Sequence, residues 1–143
     1  MTLASILVVD PDDAVRQHIS VSLRELGHEV TETSNAGSAL ALARAKRPDL
    51  VVCECLLPDL SGFDLLNDLW SNEELRTLRV VMTSQSADPS HIASAFESRA
   101  DDFVRKPINT GELLARVRAC LRGASRSDHS RIIGASGIRI DTV

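Results

Sequence analysis

Apolar runs that alternate with helically spaced segments constrain this chain more than any other feature. “SILVV” (5–9) is bounded by “DPDD”; “DLVVCE” (49–54) and “LRVVMTS” (78–84) repeat its character, and “DFVRK” (102–106) is a shorter version. Unbroken Val/Ile/Leu stretches of this length suit parallel strands buried on both faces. “HEVTET” (28–33) alternates instead, as an edge strand does. The intervening segments carry apolar residues at helical spacing: Val15, Ile19, Leu23 and Leu26; Leu40 and Ala43; Phe63, Leu66, Leu69 and Trp70; Ile92, Ala95 and Phe96; Leu113, Val117, Cys120 and Leu121. Gly27 is a stop for the first helix, Ser34 or Asn35 a cap for the second, and “RP” at 47–48 breaks it. Pro89 suits the first turn of the fourth helix, and Thr110 is a cap for the last, with Glu112 in its first turn.

Five strand–helix units predict a doubly wound α/β sandwich around a parallel sheet. Reactive groups in such sheets lie outside the carboxyl ends of the strands. That rule gathers Asp10, Glu54, Ser84 and Lys106, which are far apart in sequence.

A length of 143 residues suits one domain. The net charge of −4 argues against nucleic-acid binding by this stretch itself, since phosphate contact wants a basic face. No apolar run approaches the ~20 residues of a membrane span, and the N-terminus has no signal-peptide pattern. Three cysteines without metal-ligand spacing fit a reducing cytoplasm. Alternation puts Cys53 and Cys55 on the face away from Glu54, where they pack as small hydrophobes rather than serve redox chemistry. His18, His28, His91 and His129 are too dispersed for a metal cluster. After Gly123 the chain turns small and polar, like a linker, and a new alternating apolar pattern starts at 132.

The strand-end residues and their flanks closely resemble the receiver domain of two-component response regulators. “ILVVD” matches that family's first strand and first acid, and “PDLVVCECLLPDLSGFDLL” its third strand and phosphorylation loop. “VVMTS” matches the strand ending in a switch hydroxyl. “ADDFVRKPINTGELLARVRACLR” resembles the OmpR/PhoB-type branch, and “GIRID” the opening strand of that branch's winged-helix DNA-binding domain. The resemblance implies a flavodoxin-like (βα)5 fold with strand order 2-1-3-4-5. It implies a receiver over 1–122, a linker over 123–131, and the start of a C-terminal DNA-binding domain over 132–143. DNA is reached only through that further domain, and a histidine kinase or other signalling protein is the implied upstream partner.

The family's chemistry needs Mg²⁺ on three carboxylates and an aspartate that attacks a phosphoryl donor. Asp10 matches the first acid. Pro11 stands at the second and has no ligand atom. Glu54 stands at the nucleophile, longer than aspartate by about 1.5 Å. Asp12 is a nearby acid whose expected task is to cap the first helix. Misplacement of ~1 Å can cost ~10²-fold in transfer rate, so weak or absent Mg²⁺ binding and phosphorylation-independent signalling are expected, with no catalytic residue. Ser84 matches the switch hydroxyl, Phe103 the aromatic switch, Lys106 the lysine, and Pro107 the proline after it. Arg99 stands where a glycine usually ends the fourth helix. Glu97, Asp102, Glu112, Arg116 and Arg118 match charges that cross between subunits on the fourth-helix, fifth-strand and fifth-helix face, implying a homodimer; Ile92 replaces a basic residue there. Two rival readings are a working phosphoacceptor, and a small redox or flavin protein, which would need a phosphate-cradling loop where this chain has “DPDD”.

Overall fold

The computed structural model describes residues 4–85 and 99–123, together with Ala93 and Glu97. Five parallel strands form one sheet in the order β2-β1-β3-β4-β5: β1 (Ser5–Val9), β2 (Glu29–Thr33), β3 (Leu50–Glu54), β4 (Arg79–Ser84) and β5 (Asp102–Arg105). Helices α1 (Asp13–Glu25), α2 (Ala36–Lys46), α3 (Gly62–Ser71) and α4 (Thr110–Leu121) pack against it, with a 3₁₀ turn at Glu73–Leu75. The flavodoxin-like sheet order that the family resemblance implies is the one observed. The helix expected at Pro89, Ile92, Ala95 and Phe96 falls outside the described residues, although Ala93 and Glu97 have helical backbone. Residues 124–143, and with them most of the expected linker and the second-domain start, also lie outside.

The apolar runs are continuous because each strand serves two cores. Leu7, Val9, Val51, Cys53, Val80 and Met82 pack with Ala39, Ala43, Leu65, Leu66 and Leu69 of α2 and α3. Their alternate neighbours Ile6, Val8, Leu50, Val52, Val81 and Val104 pack with Ile19, Leu23, Leu113 and Val117 of α1 and α4. Each such side chain contributes about 1.5–3 kcal/mol on burial, so neither face of a central strand tolerates a polar residue cheaply. β2 lies at the sheet edge and is only partly buried, which is why its sequence alternates.

Caps fix where the helices begin. Asp12 Oδ1 accepts from the N–H groups of Ala14 and Val15 at 2.9 and 3.1 Å. Asn35 caps α2 through Ser38 N–H, and Ser61 caps α3 through Asp64 N–H. The last helix corrects the reading above: Asn109 is its cap, accepting from Glu112 N–H at 2.9 Å, and Thr110 is the first helical residue. Thr110 Oγ1 instead pairs with His18 Nε2 at 2.8 Å, tying α4 to α1. At the end of α2, Arg47 adopts a left-handed conformation (φ 48°) and pairs with Glu74 at 2.8 Å.

The loop after β3 closes tightly. Gly62 N–H donates to Cys55 C=O at 2.8 Å, and a Cβ on Gly62 would sit 2.4 Å from the Glu54 carbonyl oxygen. Only glycine permits that approach, which returns the chain to α3 directly beneath the end of β3.

Candidate functional site

β1, β3, β4 and β5 end at the same edge of the sheet, because all run parallel. Asp10 follows β1, Glu54 and Ser84 close β3 and β4, and Lys106 follows β5. Lys106 Nζ donates to Asp10 Oδ2 at 2.7 Å and to Glu54 Oε1 at 2.5 Å. All three side chains are nearly shut from solvent, at 6, 1 and 7 % exposure for Lys106, Asp10 and Glu54. The second oxygen of each acid is also engaged. Asp10 Oδ1 accepts from Asp12 N–H, and Glu54 Oε2 from Leu56 N–H, both at 2.9 Å. Each carboxylate thus braces the loop that follows its own strand and reaches across the sheet to the same ammonium.

Burial alone pulls the Lys106 ammonium toward losing its proton. The hydrogen bonds and charges of Asp10 and Glu54 outweigh it, and the pKa ends above the ordinary lysine value. The ammonium is therefore held in the charged form that both acids need.

Ser84 is fully buried beside Cys55, whose thiol is pushed up to about 12 by burial, with a hydrogen bond to Ser84 opposing. Phe103 is partly buried and packs against the α2–α3 core. Pro107 is exposed and follows a cis peptide bond. Cys53 and Cys55 lie in the core on the α2–α3 side, and burial raises both thiols, so neither presents a thiolate. Asp102 and Arg116 meet within one chain, with Arg116 Nη1 2.8 and 3.0 Å from the two Asp102 oxygens. Glu112 joins them at 3.1 Å. Arg118 and Glu97 are exposed.

A Mg²⁺ ion needs several oxygen ligands converging in near-octahedral array. The residues present do not fit it. Pro11 offers no side-chain oxygen, Asp12 is spent as a helix cap, and Lys106 occupies the space between Asp10 and Glu54.

Two sets of contacts beside the site involve residues that the sequence did not single out. Arg16 donates to Asp10 C=O at 2.8 Å, pairs with Asp13 at 2.7 Å and approaches Glu32 at 3.4 Å, joining β1, α1 and β2 behind the site. Its spacing of three from Asp13 was the one available hint. Asp59, in the loop after Glu54, accepts from Ala36 and Gly37 N–H at 2.9 and 3.0 Å. Those bonds at the N-terminus of α2 hold its carboxyl below the usual range.

Residues 6–118 match the family described as the response regulator receiver domain. The chain belongs to that family. It is 39 % identical over 119 residues to the transcriptional regulatory protein TcrX of Mycobacterium tuberculosis, covering 82 % of this chain and 50 % of TcrX. It is 30 % identical over 139 residues to the phosphate regulon transcriptional regulatory protein PhoB of Pseudomonas aeruginosa, covering 97 % of this chain and 61 % of PhoB. Among solved structures, a response regulator from Chloroflexus aurantiacus superposes with a TM-score of 0.80 at 30 % identity, over 85 % of this chain and 99 % of that one. This receiver therefore spans about half to three fifths of the length of the curated relatives it matches. No helix among its described residues is long and apolar enough to cross a membrane.

Proposed function

We propose that this receiver is the regulatory and self-association module of a cytoplasmic transcription regulator, and that it works without aspartyl phosphorylation. The observation that carries this reading is the buried bridge from Glu54 through Lys106 to Asp10. In a phosphorylatable receiver the lysine must be available to a transferring phosphoryl group, whose charge it neutralises. Here Glu54 takes the lysine for itself. A carboxylate carries about one negative charge against roughly −1.5 to −2 for a phosphoryl group, so Glu54 imitates the modified state only in part. The module binds and signals and is not an enzyme.

Output passes through the face built from Glu97, β5 and α4. Glu97, Asp102, Glu112, Arg116 and Arg118 orient two copies there, and DNA is engaged through a C-terminal domain that residues 132–143 begin and residues 123–131 link. Exposed ion pairs supply orientation and partner choice more than affinity. An upstream histidine kinase or another signalling protein would act by binding rather than by phosphoryl transfer.

The alternative, a working phosphoacceptor with a displaced acid, draws support from Asp10, Ser84 and Lys106 all being in place. Incubation with acetyl phosphate and Mg²⁺, followed by intact-mass measurement, separates the two. Unchanged mass is expected, together with weaker self-association in Glu54→Gln, which keeps the side chain's shape and removes its charge. One added phosphate on the wild type would establish the phosphoacceptor instead.

A further inference from the structure

The turn into β5 is attached to α3 by a contact that none of the roles above uses. Arg99 Cζ lies 4.7 Å from the centroid of the Trp70 ring, inside the ~6 Å range in which a guanidinium is attracted by an aromatic face. We propose that Arg99 is a positioning residue for the self-association face: by resting on Trp70 it fixes the chain between Glu97 and Asp102, the two acids of that face that flank it. This inference rests on the self-association reading above.

Trp70 is a firm platform. Its side chain belongs to the core, it is 5 % exposed, and its Nε1–H donates to Leu78 C=O at 3.0 Å. The ring cannot turn without giving up a buried hydrogen bond. The two residues after Arg99 are tied down as well. Ala100 packs against the same core. Asp101 Oδ2 accepts from Val80 N–H at 2.8 Å, while Asp101 N–H donates to Val80 C=O at 2.8 Å. Three consecutive residues thus anchor the entry to β5 on α3 and the start of β4, each by a different contact. The next residue, Asp102, holds Arg116.

Asp101 fixes the turn from the strand side and Ala100 packs on the core, whereas Arg99, the nearest of the three to Glu97, rests on the Trp70 ring of α3. A glycine at this position could form a left-handed cap but could make no such contact. An arginine exchanges that backbone freedom for a side-chain clamp. Loss of the clamp leaves the core intact and frees Glu97 relative to Asp102.

The test uses the 143-residue protein, in which Trp70 is the sole tryptophan, so its emission reads the contact directly. Arg99→Gln removes the cation and leaves a shorter polar side chain, and Arg99→Lys restores a cation at closer to full length. In Arg99→Gln the acrylamide quenching constant of Trp70 is expected to rise about twofold, and the dimer dissociation constant by sedimentation about fivefold. Arg99→Lys should return both to within about twofold of wild type. A dimerising protein whose Arg99→Gln form keeps wild-type quenching and dissociation overturns the inference alone, as does an Arg99→Lys form no better than Arg99→Gln. A wild type that stays monomeric overturns the self-association reading, and this inference with it.

Discussion

Lys106 Nζ and Glu54 Oε1 lie 2.5 Å apart across 52 positions of sequence, and Asp10 Oδ2 lies 2.7 Å from the same nitrogen. Two buried acids share one ammonium, so the cluster carries one excess negative charge when all three ionise. Its members are therefore not equivalent. Glu54→Gln leaves a balanced Lys106–Asp10 pair and should change stability by no more than about 1 kcal/mol. Lys106→Met leaves two like charges buried together and should cost about 3–5 kcal/mol. Urea denaturation of the two variants measures the difference. A Glu54→Gln loss as large as that of Lys106→Met would mean that Glu54, not Lys106, organises the cluster.

The poor fit of the described residues to Mg²⁺ traces to two positions and should be reversible at both. Glu54→Asp shortens the acid by about 1.5 Å and withdraws it from Lys106. Pro11→Asp supplies the missing oxygen ligand on an exposed loop residue. Glu54→Asp alone leaves one carboxylate too few, and Pro11→Asp alone leaves Glu54 paired with Lys106; the wild type should show a Mg²⁺ dissociation constant well above a millimolar by titration calorimetry. The double substitution should bind Mg²⁺ at least about tenfold more tightly and gain one phosphate from acetyl phosphate. Tight Mg²⁺ binding by the wild type would show that the bridge to Lys106 opens readily.

Strands buried on both faces are written in the sequence as unbroken apolar runs, so the sheet and the edge on which Asp10, Glu54, Ser84 and Lys106 meet could be read from it. The sharing of one nitrogen by two acids could not, because it depends on side-chain reach across β3 and β4. The cap of the last helix was ambiguous for a local reason. Asn109 and Thr110 are adjacent capping residues, and the contact of Thr110 with His18, 92 positions away, is visible only in the fold. Arg47 carries no mark of its left-handed backbone, since glycine is the residue that signals it. Asp59 and Arg16 escaped because their partners on α2 and β2 are brought near by topology. Charges on the last helix resemble those that cross between subunits, and the two acids of its own chain that Arg116 reaches are visible only in the fold.

Alkaline pH should destabilise the receiver from about the ordinary thiol pKa upward. Burial pushes Cys55 and Cys120 up to about 12 from 9.0, and Cys53 upward as well. A group whose folded pKa is raised contributes fully below its unfolded pKa and loses that contribution as pH rises toward the folded value. Above pH 9.0 the unfolded chain therefore releases up to three protons that the native state retains, and stability falls. Lys106 adds a loss of the same sign above 10.5. The chain has no tyrosine to obscure the window between. Unfolding free energies from pH 8 to 10.5 should show the decline, and Cys120→Ala should reduce its slope by about one proton. A flat profile over this range would mean that the thiols are reached by solvent in the native state.

Arg116 is held by Asp102 at 2.8 Å and by Glu112 at 3.1 Å in its own chain, whereas Arg118 and Glu97 are exposed. Transferring Arg116 to a partner's acid would trade one half-exposed ion pair for another, worth only ~0–1 kcal/mol either way. Arg118 and Glu97 have more to gain by crossing, so the two arginines should separate in experiment. Arg116→Glu would gather three acids at one spot, and it should lower thermal stability by about 1 kcal/mol while affecting association through that local disturbance. Arg118→Glu should leave stability nearly unchanged and weaken the dimer about tenfold, since a repulsive contact appears twice across a two-fold axis. Combining it with Glu97→Arg should restore association to within about threefold by sedimentation, because the reversed pair is again complementary. If Arg118→Glu dimerises like the wild type, the charges on this face do not meet between subunits and the interface lies elsewhere on the receiver.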